Sequence, residues 1–466
     1  MNLTFNEILG ATNANILQRG TVQDVAGVSI DTRTIKQGDL FVAIKGGHFD
    51  GHDFIDNAIE KGACGVVVAQ FIGPTAPDKS GNYWVLQVTD TTRALGDIAN
   101  AWRGKMKCTV VAVTGSNGKS TTKEMIAAGI SETRRVVKTE GNFNNLIGLP
   151  LQVLRLLPEH EVAVLEMGMN APGEIKRLAE IAEPDVGLIT NVNPAHLEKL
   201  HTVENVAKAK GELFDAMKRD GTIVINIEDP WTVRLGNAAH QKKVTFGMQN
   251  GCDVQFGRLI SEGLDRTELT FYANNREYAM RLPLPGVHNV LNALAAVAVG
   301  IACGVKPITM IPGLERVVAM KMRMERVQLL NGVQVINDSY NANPSSMFAA
   351  LRTVGAAKRA GRFIAILGDM LELGDAAKEK HLELGKNAAS FGVTRLFVVG
   401  ARARDVAEGA AKEGFDKKNI TVASGADDIK KDVLNELKTG DIVLVKGSRG
   451  MGMELIVEYL KNEVGV

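Results

Sequence analysis

Gly115, Ser116, Asn117, Gly118, Lys119, Ser120 and Thr121 stand in that order in "VAVTGSNGKSTTKEM", Val111 to Met125. Glycines, a lysine and paired hydroxyls are the residue types that phosphate chemistry uses. Backbone N–H groups of a tight turn converge on an anion, and a following helix adds its positive N-terminal end. Lys119 can neutralise β/γ-phosphate oxygens and Ser120 can ligate Mg²⁺. Thr114 closes a β-branched apolar run before the turn, and a helix-like segment follows it. The common P-loop reads G-x-x-x-x-G-K-[ST], yet here Val113 stands where its first glycine belongs. Strand, turn and helix can bind phosphate without that glycine, so a nucleotide site is expected.

Other residues could serve such a site. Mg²⁺ takes hard oxygen ligands. Glu166 ends the apolar run "VAVLEM", which puts its carboxylate at the C-terminal edge of a strand, where open α/β sheets bind ligands. His196 in "ITNVNPAHLEKL" follows another strand end. Read alone, Glu166 is equally an ordinary strand-end carboxylate, His196 a loop histidine and Lys210 a solvated lysine on a helix face. Two later turns are rich in hydrogen-bonding groups. "INDSYNANPSSM" carries Asp338, Tyr340, Asn341 and Asn343, with Pro344–Ser345 suited to a helix start. "LVKGSRGMGMEL" carries Lys446, Ser448 and Arg449, a second anion or carboxylate pocket. Polar capping is the alternative for both.

These residues need rigid elements to hold them. With 466 residues the chain is expected to form two to four domains. A 45% hydrophobic and 23% charged composition allows large cores. The net charge of +1 supplies no field for nucleic acid or an anionic membrane. Cys64, Cys108, Cys252 and Cys303 lie far apart without a C-x-x-C, as for reduced thiols in a cytoplasmic protein. "MNLTFNEILG" shows no signal peptide. "LNALAAVAVGIACGV" is shorter than the roughly 20 residues of a spanning helix, so it reads as a buried helix.

Short strand signals ("GVSID", "LFVAIKG", "CGVVVAQ", "YWVLQV") fill the first 100 or so residues, with "FIGPTAPDKSGNY" as a loop. From about 108 to 314, strands and helices alternate, which predicts a mostly parallel sheet covered on both faces. Residues 243–283 read as an antiparallel insert. "LERVVAMKMRMERVQ" reads as a domain junction, and a second α/β sheet follows it. The expected division is 1–105, 106–314 and 315–466.

The chain resembles the Mur ligase family. "TGSNGKST" is similar to that family's own phosphate loop, T-G-x-[NS]-G-K-[ST]-[ST], which lacks the first Walker glycine. The likeness extends through "DTR…GDLFVAIKG…FDGHDFI", "NFNNLIGLPL", "LEMGMN", "AHLE…AKAKGELF", "LPGVHNVLNALAA", "DSYNANPSSM", "LGDMLELG" and "VKGSRG". It implies three α/β domains: a small N-terminal UDP-binding one, a central P-loop-type ATPase domain and a C-terminal Rossmann-like domain. It also implies an ATP-dependent amide ligase. The last three motifs are most similar to the branch that joins D-alanyl-D-alanine to a UDP-N-acetylmuramoyl-tripeptide through an acyl phosphate. The alternatives are another Mur-type ligase with a different amine acceptor, or a P-loop phosphotransferase or ATPase.

The resemblance also assigns residues. Thr114 to Thr121 hold ATP phosphates. Ser120, Glu166, His196 and Lys210 serve two Mg²⁺ ions, with Lys210 a candidate for carbamylation and Lys208 its competitor. Lys119, Glu166, His196 and Lys210 form the implied catalytic set. His288 and Asn289 contact adenine; Arg323 and Asp338 reach phosphates and ribose. Thr32, Arg33, Lys45 and Gly46 lie near UDP, and Asn142, Asn144 and Asn145 face the muramoyl peptide. Tyr340, Asn341, Asn343, Lys446, Ser448 and Arg449 are implied for the dipeptide and the reacting carboxylate. A cytoplasmic monomer that binds no nucleic acid and inserts in no membrane completes the expectation.

Overall fold

A computed structural model describes residues 1–70, 82–357 and 361–466. Most of the loop expected at "FIGPTAPDKSGNY" lies outside them. The chain divides into two compact units. One comprises Met1–Thr114, Arg134–Gly187 and Glu212–Thr222; the other comprises Gly115–Thr133, Leu188–Gly211 and Ile223–Val466.

The first unit opens with a five-stranded sheet in the order Asn15–Gln18, Trp84–Gln87, Gly65–Val68, Asp39–Val42 and Gly27–Ser29. Its first pair is antiparallel and the rest are parallel. Phe41, Val66, Val68 and Val85 fill one face. Phe5 stacks on Trp84 with ring centroids 4.6 Å apart. "TRALGDIANAWRGKM" forms the expected helix at Thr91–Gly104, because Asp90 caps it by accepting from the N–H groups of Thr92 and Arg93. Strand Val162–Glu166 lies parallel to both Thr109–Thr114 and Val136–Lys138. All five of its residues are buried, the mark of a strand covered on both faces.

In the second unit, helix Lys119–Ser131 leaves the glycine-rich turn. The expected antiparallel insert holds for Val254–Glu262, Thr267–Ala273 and Arg276–Leu282. Lys242–Gly247 differs, because it runs parallel to Val254–Glu262. Helix Val287–Ala302 is buried along most of its length. Among the described residues, no helix is long and apolar enough to cross a membrane.

The last sheet runs Glu325–Gln328, Gln334–Asn337, Ile442–Lys446, Phe363–Gly368, Arg395–Val399 and Ile420–Ala423. Only the first pair is antiparallel. The junction read in "LERVVAMKMRMERVQ" is therefore shorter than expected. Its final residues are already an edge strand, recruited by pairing with Gln334–Asn337 rather than by any local signal.

Candidate active site

The phosphate turn begins where strand Thr109–Thr114 ends. Val113 belongs to that strand; it is fully buried, and its carbonyl accepts from Met167 N–H at 2.9 Å. The turn starts only at Gly115, so no glycine is needed at 113. Gly115 and Gly118 have φ of 146° and 79°, a region that suits glycine. A Cβ on Gly118 would lie 2.5 Å from Asn292 Oδ1, and one on Gly115 would overlap the Thr190 side chain.

A second segment braces the turn. Ser116 N–H donates to Asn191 O at 2.9 Å, and Asn117 N–H donates to Asn191 Oδ1 at 2.9 Å. Thr190 Oγ1 donates to Asn117 O at 2.6 Å, and Ser116 Oγ donates to Asn193 O at 2.9 Å. Asn292 also accepts from Thr122 Oγ1 and donates to Asn289 Oδ1. Sequence reasoning missed Thr190, Asn191, Asn193 and Asn292. The polar run "TNVNP" directly after a buried strand was the available signal. The first-turn N–H groups of helix Lys119–Ser131 have no intrahelical acceptors, as in any helix, and they crown the turn.

Lys119 Nζ donates to Gly115 O at 2.8 Å, which folds the side chain back over the loop. Lys210, on helix Val203–Ala216, is 2% exposed, so its reading as a solvated lysine is overturned. Burial, reinforced by the charge of Lys119, pushes its pKa well below the usual lysine range. Its competitor Lys208 is the solvated one, with a side chain 69% exposed and paired with Glu204 at 3.2 Å. His196 takes a left-handed backbone with φ 55°, and its Nδ1 lies 2.6 Å from Glu372 Oε2.

Arg323, just before edge strand Glu325–Gln328, reaches the same turn. Arg323 donates from its NH2 to Ser120 Oγ at 3.0 Å and stacks 3.9 Å from the Tyr340 ring centroid. Its buried Nε has no protein partner. Asp338 is held by Lys446 at 2.6 Å and accepts from Met324 N–H. Lys446 also donates to Asn341 O, and Asn341 Oδ1 accepts from Ala342 N–H. Ser448 Oγ accepts from Leu371 N–H, while Arg449 pairs outward with Glu454.

Asn343 takes the capping role that was the alternative for its motif and adds a bond that was not expected. It caps helix Pro344–Ala356 through Ser346 N–H, and its amide donates to Asn117 Oδ1 at 2.7 Å. Asn343→Asp keeps a capping oxygen but sets it against Asn117 Oδ1. We expect it to raise the KM for ATP several-fold with thermal stability nearly unchanged. Asn343→Ala should also lose about 1 kcal/mol of stability. Steady-state kinetics beside thermal melts separate the two effects.

Asn289 donates to Pro285 O within the start of helix Val287–Ala302. The neighbouring His288 has a buried Nδ1 without a protein partner. Burial pushes its pKa down to about 4; Asp338 opposes this, while Arg352 and Lys446 add to it. Between about 4 and 6.5 the unfolded chain protonates this ring and the folded one does not. Its contribution to stability is therefore lost as pH falls through that window. The urea midpoint should fall less between pH 6.5 and 4.5 for His288→Gln than for the unsubstituted protein.

In the first unit, Glu166 is 2% exposed. Thr139 Oγ1 accepts from its N–H, and Asn144 donates to its Oε1 at 2.9 Å. Its buried Oε2 has no protein partner. Asn144 thus positions Glu166, while Asn145 accepts from Ile147 and Gly148 N–H. Asn142 O accepts from Asn144 N–H. Thr32 is buried and its carbonyl accepts from Lys61. Arg33 is exposed and pairs with Asp31, whose carboxyl it pulls down to about 2. Lys45 is exposed opposite Asp50, and Gly46 N–H donates to Phe49 O. Among the described residues no three His, Cys, Asp or Glu side chains gather into a metal cluster.

The chain matches three family descriptions: "Mur ligase family, catalytic domain" over residues 24–103, "Mur ligase middle domain" over 113–300 and "Mur ligase, glutamate ligase domain" over 322–449. It is 38% identical to the UDP-N-acetylmuramoyl-tripeptide–D-alanyl-D-alanine ligase of Bacillus subtilis, over 97% of this chain and 96% of that one. The chain belongs to the Mur ligase family. This Mur ligase is also 33% identical to the Escherichia coli protein of the same name, over 99% of both chains. It has the family's three-domain α/β fold. It superposes on crystal structure I of MurF from Acinetobacter baumannii with a TM-score of 0.90, at 29% identity and 99% coverage of both chains. It superposes on the MurF ligase of Thermotoga maritima in complex with ADP with a TM-score of 0.82, at 30% identity, covering 94% of this chain and 97% of that one.

Proposed function

We propose that this protein is the ATP-dependent amide ligase that joins D-alanyl-D-alanine to UDP-N-acetylmuramoyl-tripeptide. The observation that carries this reading is its end-to-end similarity to ligases named for that reaction. Domains 1–105, 106–314 and 315–466 then hold the UDP end, ATP and the dipeptide. The site of action is the cytoplasm.

A carboxylate is a poor acyl donor, because its leaving group would be oxide. ATP removes that obstacle by transferring its γ-phosphoryl group to the carboxylate, which forms an acyl phosphate and releases ADP. The dipeptide amine then attacks the acyl carbon and phosphate departs. The chief obstacle to the first step is repulsion between two anions. Lys119 and the helix start answer it at the γ-phosphate. Arg323 is poised to leave Ser120 for the phosphate oxygens, and its stacking on Tyr340 keeps the guanidinium in reach. Asn117, braced by Asn191 and Asn343, holds the loop closed around the anion.

The residues also fit Mg²⁺. Glu166 offers a buried carboxylate oxygen that no protein group satisfies, a hard donor of the kind Mg²⁺ takes; Ser120, His196 and Lys210 are the further residues that the family resemblance assigns to Mg²⁺. Bound magnesium would neutralise the charge spreading over the transferring oxygens. Burial disfavours the ammonium form of Lys210, and the neutral amine is the form that takes up carbon dioxide as a carbamate, which would convert Lys210 from a cation to an anionic oxygen donor.

Mass spectrometry of a reaction containing ATP, Mg²⁺, UDP-muramoyl tripeptide and D-alanyl-D-alanine, with each omitted in turn, tests the reading. A pentapeptide product that requires all four is the expected result. ADP release without a new amide would sink the dipeptide assignment.

A further inference from the structure

The geometry points to Glu372 as a positioning residue that sets the tautomer and aim of His196, so that the last domain helps to assemble the metal site. The inference rests on the metal-ligand reading of His196 above. No motif or resemblance assigned Glu372 a role; it lies within "LGDMLELG".

The contact is specific in its chemistry. His196 Nδ1 and Glu372 Oε2 lie 2.6 Å apart, within charge-assisted hydrogen-bond range. Glutamate is ionised at neutral pH. An ionised carboxylate can only accept, so Nδ1 carries the proton. In a neutral imidazole that leaves the Nε2 lone pair free for a cation. A carboxylate that fixes its ligating histidine in this way is a recurring feature of metal sites.

The surrounding backbone is built for the contact. Both partners hold left-handed conformations, with φ 55° at His196 and 63° at Glu372. Such conformations are unfavourable for residues with a side chain and persist where the surroundings impose them. Glu198 N–H donates to Glu372 O at 3.0 Å. Gly374, at φ 53°, brings the loop against Glu198, where a Cβ would lie 3.5 Å from its Cα. The Glu372 side chain is 53% exposed. An exposed ion pair adds little to stability, so stability alone does not account for two strained residues meeting there. Glu372 comes from the loop after strand Phe363–Gly368 and His196 from the segment after strand Val186–Ile189. Their bond therefore ties the orientation of a ligand to the placement of the domain that delivers the dipeptide.

The test uses the full chain with ADP present and Mn²⁺ as the probe, titrated by electron paramagnetic resonance. Long-range ¹H–¹⁵N correlation of the His196 ring is recorded alongside. We expect the proton on Nδ1 in the unsubstituted protein. Glu372→Ala should weaken Mn²⁺ binding 10- to 100-fold, and Glu372→Gln should recover part of it. In a protein already carrying His196→Ala, the further change Glu372→Ala should have no effect on Mn²⁺ affinity. Equal Mn²⁺ affinity for the unsubstituted protein and Glu372→Ala, or a proton on Nε2, would overturn the inference alone. No Mn²⁺ binding by the unsubstituted protein would overturn the metal-ligand reading of His196 and this inference with it.

Discussion

Lys119→Ala is expected to lower pentapeptide formation about 10²- to 10³-fold, the scale for removing a preorganised donor from a developing anion. The side chain folds over the loop it serves, donating to Gly115 O. That places its ammonium over the turn proposed to hold the phosphates. Removing it should leave folding intact, because the turn is held instead by Thr190, Asn191 and Asn193. Removal also withdraws a positive charge that depresses the Lys210 pKa, so the fold gains a little where it loses function. Ligation rates and thermal melts on the same preparation decide the matter. Retention of more than a tenth of the activity would show that Lys119 does not stabilise the transferring phosphoryl group.

Lys210→Met is expected to act in opposite directions on activity and stability. Ligation should fall about 10²-fold or more, while Tm should rise by a few degrees. A buried lysine with a depressed pKa destabilises the fold wherever the unfolded chain keeps it protonated. Its contribution improves as pH rises through the window from its folded pKa up to the ordinary value of 10.5. Methionine fills a similar volume and brings no charge to desolvate. Removing a charge that the fold must desolvate stabilises it, and each kcal/mol gained raises Tm by about 2–4 °C in a domain of this size. The melt is run without nucleotide, metal or bicarbonate, so that the amine itself is what the fold must bury. With labelled bicarbonate, a carbamate carbon resonance present in the unsubstituted protein and absent in Lys210→Met would establish the modified lysine. Full ligation by Lys210→Met would remove this residue from the metal site altogether.

The opposite fates of Lys210 and Lys208 show where sequence reading stops. Two residues apart on one helix, they look alike in composition and in local period. One is buried and the other is solvated and paired with Glu204, because burial depends on what packs over the helix from distant parts of the chain. Asn343 is equally legible as a cap or as a site residue, and it serves as a cap while bonding Asn117, 226 positions away. The antiparallel edge strand Glu325–Gln328 reads locally as a linker, since an edge strand gains its identity only from the partner it pairs with.

What the sequence by itself determined is local: the strand, glycine turn and helix that carry Gly115 to Thr121, the buried runs that make α/β sheets, and the family those motifs mark. Each follows from steric rules or from contacts a few residues apart, so a short window contains its cause. Tertiary structure alone decided that Thr190 to Asn193 brace the turn, that Arg323 waits on Ser120, and that Glu372 meets His196. Those bonds join groups from about 70 to more than 200 residues apart. Their partners are chosen by the three-dimensional placement of strand ends, and no spacing along the chain records that choice.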